Sequence, residues 1–176
     1  MGAGKSSVGR ALASQLNWSF EDLDQRIERR NDRTVAAIFR EFGEAEFRRI
    51  EHEALKELLE QLGSGGEKVI ALGGGAFIHE SNIKLIEAKK IPSVFLDAAI
   101  DELWRRCMEQ QPELGMERPL LTGVEGFREL YEKRRPYYLR ASSRQETGGK
   151  AVEQIAAELV QTLGLSRRGG NRGQNQ

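Results

Sequence analysis

Gly2-Ala3-Gly4-Lys5-Ser6-Ser7, followed at once by Val8, Leu12 and Leu16 at helical spacing, is the stretch on which the fold turns. Its glycines let backbone N–H groups turn inward at low steric cost. The helix that follows aims its amino end at the loop, and that end favours an anion. Lys5 would reach the β- and γ-phosphates of a nucleotide, and Ser6 would ligate Mg²⁺. The bland alternative is a glycine-rich helix start with no ligand. Gly-x-Gly-Lys-Ser-Ser directly before an amphipathic helix favours phosphate. The full template, Gly-x-x-x-x-Gly-Lys-Ser, asks for a glycine ahead of residue 1 and a strand ahead of that. Met1-Gly2 with Ser6 also fits the loose N-myristoylation pattern, and the phosphate loop accounts for these residues better.

Working outward, strands alternate with helices. Trp18 to Phe20 is a β-prone stretch running into Glu21-Asp22-Leu23-Asp24, and a helix follows to about Arg30. Thr34 can cap a helix over Val35 to Phe42 that stops near Gly43. Phe47, Ile50, Ala54, Leu55, Leu58, Leu59 and Leu62 then form one helical stripe. Val69 to Leu72 is a short strand entering Gly73-Gly74-Gly75, and Ser93 to Leu96 is another, ending at Asp97. Helices are predicted over Ala99 to Met108, Glu125 to about Arg135 before Pro136, and Ala151 to Leu163. Gln111 to Gly123 carries two prolines and two glycines and reads as a loop. Ala141 to Thr147 is too polar to read as a buried strand. This order implies an α/β domain with a parallel sheet and helices on both faces.

The 176 residues suit one domain, here 1–165, with a polar tail over 166–176 that is too poor in apolar residues to order. The 27 Lys+Arg balance the 27 Asp+Glu, so net charge gives no bulk attraction to nucleic acid or an anionic membrane. The mean hydropathy of -0.55 fits a globular composition, and no apolar run is long enough to span a bilayer. The one cysteine, Cys107, excludes an intrachain disulfide framework and fits a reducing cytoplasm.

The phosphate loop and six motifs in order after it carry a resemblance over residues 1 to 165. The phosphate loop is followed by Phe20-Glu21-Asp22-Leu23-Asp24 and Ile38-Phe39-Arg40, then by Gly43-Glu44-Ala45-Glu46-Phe47-Arg48-Arg49-Ile50-Glu51. Leu72-Gly73-Gly74-Gly75-Ala76, Arg118-Pro119-Leu120-Leu121 and Arg134-Arg135-Pro136-Tyr137-Tyr138 complete the set. Together they resemble the shikimate kinase family of small P-loop kinases, which move the γ-phosphoryl of ATP to the 3-hydroxyl of shikimate. The resemblance implies a three-layer P-loop kinase fold, with ATP and Mg²⁺. It implies that Gly2, Ala3, Gly4, Lys5, Ser6 and Ser7 hold the ATP phosphates, with Ser6 and Asp22 at the metal. Asp24 would hold the shikimate hydroxyls and orient or deprotonate the attacking one. Arg48 and Arg134 would take the substrate carboxylate, and Gly74 and Gly75 would offer backbone groups. Arg118 would close over the phosphates from a lid around 109–124, and Arg106 would lie along the adenine. The partners implied are shikimate and ATP, acting on a cytoplasmic monomer without nucleic acid or membrane.

Other readings stand beside these. Gluconate kinase, of the same architecture, would also suit two arginines facing a sugar acid. A nucleotide-binding remnant would bind ATP without turnover. Asp22 and Asp24 can cap the next helix, and Arg48 and Arg49 can pair with Glu44, Glu51 and Glu53 in solvent. Asp97 sits where other P-loop proteins bind metal, and capping of the following helix is the better reading. His52 and His79 read as surface residues, and Cys107 as a small core residue. In the family the strand ahead of the loop lies in the middle of a five-stranded sheet. The chain as written is therefore expected to lack its central strand, and to leave the loop without a fixed support.

Overall fold

The computed structural model describes residues 2–62, 66–109 and 123–167. Arg118 and residues 110–122 of the expected lid, and residues 168–176 of the tail, lie outside them. The chain runs α1 (Lys5–Leu16), β1 (Ser19–Asp22), α2 (Leu23–Asn31), α3 (Val35–Glu60), β2 (Lys68–Ala71) and a 3₁₀ turn (Ala76–Ile78). It continues through α4 (Glu80–Ala88), β3 (Val94–Asp97), α5 (Ile100–Glu109), α6 (Gly123–Tyr138), β4 (Ser143–Glu146) and α7 (Val152–Thr162). No helix among the described residues is long and apolar enough to cross a membrane.

Local chemistry sets the helix boundaries. Asn17 closes α1 in the left-handed conformation, its N–H reaching back to the Ala13 and Ser14 carbonyls. Asp22 caps α2, and the Thr34 hydroxyl caps α3 by accepting the Ala37 N–H at 3.1 Å. Gly43, at φ 80° and ψ 173°, breaks α3 where the sequence predicts a stop. One assignment differs from expectation. α6 runs through Pro136 to Tyr138, where the Tyr138 ring packs 5.4 Å from Phe95 and its hydroxyl donates to the Gly74 carbonyl. That tertiary anchoring outweighs the helix-breaking tendency of proline. The polar segment over 141–147 holds β4, which is not a buried strand, as its composition implies: within β4 only Gln145 is buried.

The strands form two separate parallel pairs. β1 lies on β2 with Asp22 opposite Ala71, and β3 lies on β4 with Asp97 opposite Glu146. The core is divided in the same way. One apolar cluster gathers α1, α5, α6 and α7 around Leu16, Leu103 and Phe127. The other gathers α2, α3 and α4 around Leu23, Ile38 and Leu58. A cavity of about 550 Å³ lies between β2 and β3. Val8 and Leu12 line it from the first cluster, Leu55 and Leu59 from the second, with Val69 and Phe95 from the two strands. The three-layer architecture is thus present, with the parallel sheet split at its centre.

A strand buried on both faces reads as a continuous apolar run. Four or five buried Val, Leu or Ile side chains would contribute roughly 6–15 kcal/mol. Extending the chain ahead of Gly2 by about ten residues that hold such a strand and a glycine is expected to raise the thermal midpoint by about 10 °C or more. Equal midpoints for the two versions, compared by differential scanning calorimetry, would show that the cavity does not accept a strand.

Candidate active site

Apart from the arginines and Glu51 on α3, α5 and α6, the chemical groups of the site lie where a strand gives way to the next segment or where α1 begins. Gly2 and Gly4 hold φ of 64° and 75°, a conformation that disfavours any side chain. A Cβ on Gly2 would collide with the Leu103 carbonyl oxygen, so only glycine lets the loop lie against α5. Gly4 caps α1 and its carbonyl accepts the Val8 N–H at 2.9 Å. The Ser6 hydroxyl donates to Asp22 Oδ2 at 2.6 Å, bridging the loop to the end of β1. Asp22 Oδ1 meanwhile accepts the Asp24 and Gln25 amides at 3.1 and 3.4 Å. Helix capping and a place beside Ser6 therefore coexist in one carboxylate. Ser6 and Asp22 supply hard oxygen donors next to the phosphate loop, which suits Mg²⁺, an ion that keeps several waters. Among the described residues no cluster of three or more His, Cys, Asp or Glu offers a rival metal site.

The glycine run after β2 is shaped by its neighbours. A Cβ on Gly73 would collide with Asp24 Oδ1, and one on Gly75 would collide with Arg48 Nη1. The Gly74 carbonyl accepts the Tyr138 hydroxyl at 2.6 Å, with Arg134 Nη1 at 3.5 Å. Asp24, Arg48 and Arg134 thus converge on three consecutive glycines that leave room for them.

Burial pushes the Asp24 carboxyl above its usual range, and Asp22 and Glu28 push the same way. Lys5 and Arg48 pull it back. Glu51, which the sequence places among the solvated partners of the arginines, is 1 % exposed. Its carboxylate accepts Arg48 Nη1 at 2.8 Å, and burial raises its pKa against the pull of Arg48. Arg48 also donates to Glu44 from Nε at 3.3 Å and Nη2 at 3.2 Å, and its guanidinium lies 5.0 Å from the Phe47 ring centre. The i, i+3 spacing of Arg48 and Glu51 on a helix, inside the apolar stripe that turns toward the core, is the signal in the sequence. Arg49 does pair in solvent, with Glu46 and Glu53.

Arg106 lies away from this group. It donates to the Thr147 hydroxyl at 3.1 Å and the Thr147 carbonyl at 3.0 Å, and it pairs with Glu102. Neither histidine is a free surface residue. His52 Nδ1 lies 2.7 Å from Asn82 Oδ1, and His79 is partly buried next to the charges of Arg48, Glu44 and Arg134. Asn82, fully buried, donates to the Ala76 carbonyl at 2.9 Å and so fixes the turn after the glycines. Cys107 is buried in the first core cluster, as expected.

The shikimate kinase family model matches residues 1–164. A shikimate kinase of Cereibacter sphaeroides is 41 % identical over 166 residues, covering 93 % of this chain and 78 % of the relative. One of Thermus thermophilus is 39 % identical, covering 93 % and 85 %. Shikimate kinase from Acinetobacter baumannii, solved in complex with shikimate, superposes with a TM-score of 0.82 at 32 % identity, covering 93 % of this chain and 88 % of that one.

The raised Asp24 pKa has a consequence for stability. An acid held above its unfolded pKa stabilises the fold while protonated, and that contribution is lost as pH rises through the folded value. Asp24→Asn is therefore expected to raise the thermal midpoint of the ligand-free protein at neutral pH by a few degrees. The gain should shrink as pH falls through the carboxylate range, where wild-type Asp24 is itself protonated. A thermal shift series across pH checks both the sign and the trend.

Proposed function

The chain belongs to the shikimate kinase family, and from that premise we propose which of its residues carry the family reaction, the ATP-dependent phosphorylation of shikimate. The observation that carries the assignment is the convergence of Asp24, Arg48 and Arg134 on Gly73 to Gly75, one short step from the loop that begins at Gly2.

Gly2, Ala3, Gly4 and Ser7 supply the backbone cradle for the ATP phosphates, and Lys5 adds a positive charge. Ser6 and Asp22 would hold Mg²⁺, which supplies charge neutralisation for the phosphates when bound. Phosphoryl transfer otherwise depends on positioning and electrostatic stabilisation. Arg48 and Arg134 bind the substrate carboxylate, for which the guanidinium fork is suited. Arg48 keeps its buried contact with Glu51. Its Nε/Nη2 edge is occupied by the exposed Glu44, a weak partner that a carboxylate ligand can displace. Gly74 and Gly75 let the ligand approach the backbone. Asp24 then faces the hydroxyl that loses its proton. A raised pKa makes it a better acceptor than an exposed carboxylate, while Lys5 and Arg48 keep it ionisable. Arg106 serves the adenine side, held by Thr147, and Arg118 serves as the closing arginine.

Asp24→Asn is expected to lower kcat by about 10²-fold or more, with less change in shikimate KM. In wild type, kcat/KM should fall as pH drops through a group titrating above the ordinary aspartate range, and that limb should be absent in the variant. Arg48→Ala or Arg134→Ala should raise shikimate KM while sparing ATP KM, and lysine should rescue only in part. A coupled ADP-release assay, run with shikimate and gluconate side by side, reads all three outcomes. Near-normal kcat in Asp24→Asn would remove that residue from the mechanism, and preference for gluconate would redirect the substrate assignment.

A further inference from the structure

Asp97 closes β3 outside the site just described, yet both of its carboxylate oxygens are held by donors from three segments of the chain. It is 3 % exposed. Oδ1 accepts the Tyr131 hydroxyl at 2.5 Å and the Ala98 amide at 3.0 Å. Oδ2 accepts Arg144 Nε at 2.9 Å, with Arg135 Nη2 at 3.8 Å. Three hydrogen bonds and two arginines already satisfy this carboxylate without a metal, and its amide contact stops short of Ile100, where α5 begins. Neither the metal reading nor simple helix capping explains it.

The partners have a pattern. Tyr131 and Arg135 sit on α6 on either side of Arg134, one helical turn before and one residue after. Two polar contacts from the strand end thus fix the rotation and height of the helix that presents Arg134 to the Gly74 carbonyl. On the other side, the main-chain carbonyl of Asp97 accepts the Thr147 N–H at 2.8 Å and its hydroxyl at 3.1 Å. Thr147, fully buried, in turn accepts Arg106 through its hydroxyl and carbonyl. One residue therefore stands behind both arginines.

We propose that Asp97 is a positioning residue for both ligand arginines, its carboxylate setting Arg134 through Tyr131 and Arg135, and its carbonyl setting Arg106 through Thr147. This rests on the roles proposed above for Arg134 and Arg106. Burial and the Asp97 hydrogen bond push the Tyr131 hydroxyl up to about 12, so Tyr131 stays a donor across the working pH range. The division of labour within Asp97 gives the two arms separable readouts. Of the two ligand arginines, removing the carboxylate's charge acts on Arg134, because the carbonyl that holds Thr147 remains.

The test is steady-state kinetics on the full chain, varying each substrate in turn. Asp97→Asn and Tyr131→Phe are expected to raise shikimate KM by roughly three- to tenfold, the size of one ordinary hydrogen bond, with ATP KM within about twofold of wild type. Thr147→Val is expected to do the reverse. In an Arg134→Ala background, Asp97→Asn should add little further to shikimate KM, because the group it positions is gone. Equal shifts in both KM values, a fall in kcat alone, or full additivity with Arg134→Ala would overturn the proposal and leave Asp97 a general stabiliser. If Arg134→Ala itself leaves shikimate KM unchanged, the site reading fails first, and that failure is read from a variant that does not touch Asp97.

Discussion

The parallel register of the two strand pairs is the constraint on which the rest depends. With Asp22 opposite Ala71, the chains leaving β1 and β2 emerge side by side at the same edge. Asp24 consequently meets Gly73 within two residues of the last pairing. With Asp97 opposite Glu146, the next residue after β4 is Thr147, which closes onto the Asp97 carbonyl and holds Arg106. An antiparallel pairing would send these exits to opposite ends of the molecule. The Ser6 hydroxyl in the first turn of α1 reaches Asp22 at the end of β1, so the amino end of that helix lies at the same edge.

Charge then determines how these groups coexist. Asp24 and Glu51 are both held above their usual carboxylate range by burial, even with arginines beside them. Burying a guanidinium without a partner would cost more than the pair does, so Glu51 is what allows Arg48 to stand inside. The exposed Glu44 contact is of a different kind, since solvent already competes for it. Arg48 thus has one buried partner, Glu51, and one exposed partner, Glu44. Arg134 Nη1 lies 3.5 Å from the Gly74 carbonyl, whose closer donor is the Tyr138 hydroxyl.

Much of this is legible in the chain. The helices at α1, α3 and α7 announce themselves by apolar spacing, and Gly43 marks the break in α3 because its φ is one that other residues avoid. The phosphate loop and the glycine run are visible because glycine weakens a helix start or a strand end unless a turn or a close approach requires it. α4 escapes assignment, although Ile83 and Ile86 carry the spacing, because its start at His79 makes no side-chain cap. β4 reads as too polar for a buried strand because it buries only Gln145 and leaves no period-2 apolar signature. Glu51 and Asp97 are underrated by the sequence for a common reason. A charged residue on a helix or at a strand end is usually solvated, and only tertiary structure shows which ones are enclosed by donors.

The phosphate loop shows how local that enclosure can be. With no strand between β2 and β3 among the described residues, the loop is expected to lose its preorganisation. Gly2 and Gly4 hold left-handed φ, with one contact from α5 and one within α1. Gly2 abuts the Leu103 carbonyl of α5, and Gly4 starts the hydrogen-bond ladder of α1 through Val8. Ser6 adds a tie to Asp22 across to β1. The conformation of the cradle is therefore set by α1, α5 and β1. The cavity beside it bears on stability instead, since it separates two apolar clusters that a continuous sheet would join. Geometry of the site and cohesion of the core are in this fold carried by different contacts. A change in one can accordingly be measured without the other moving in proportion.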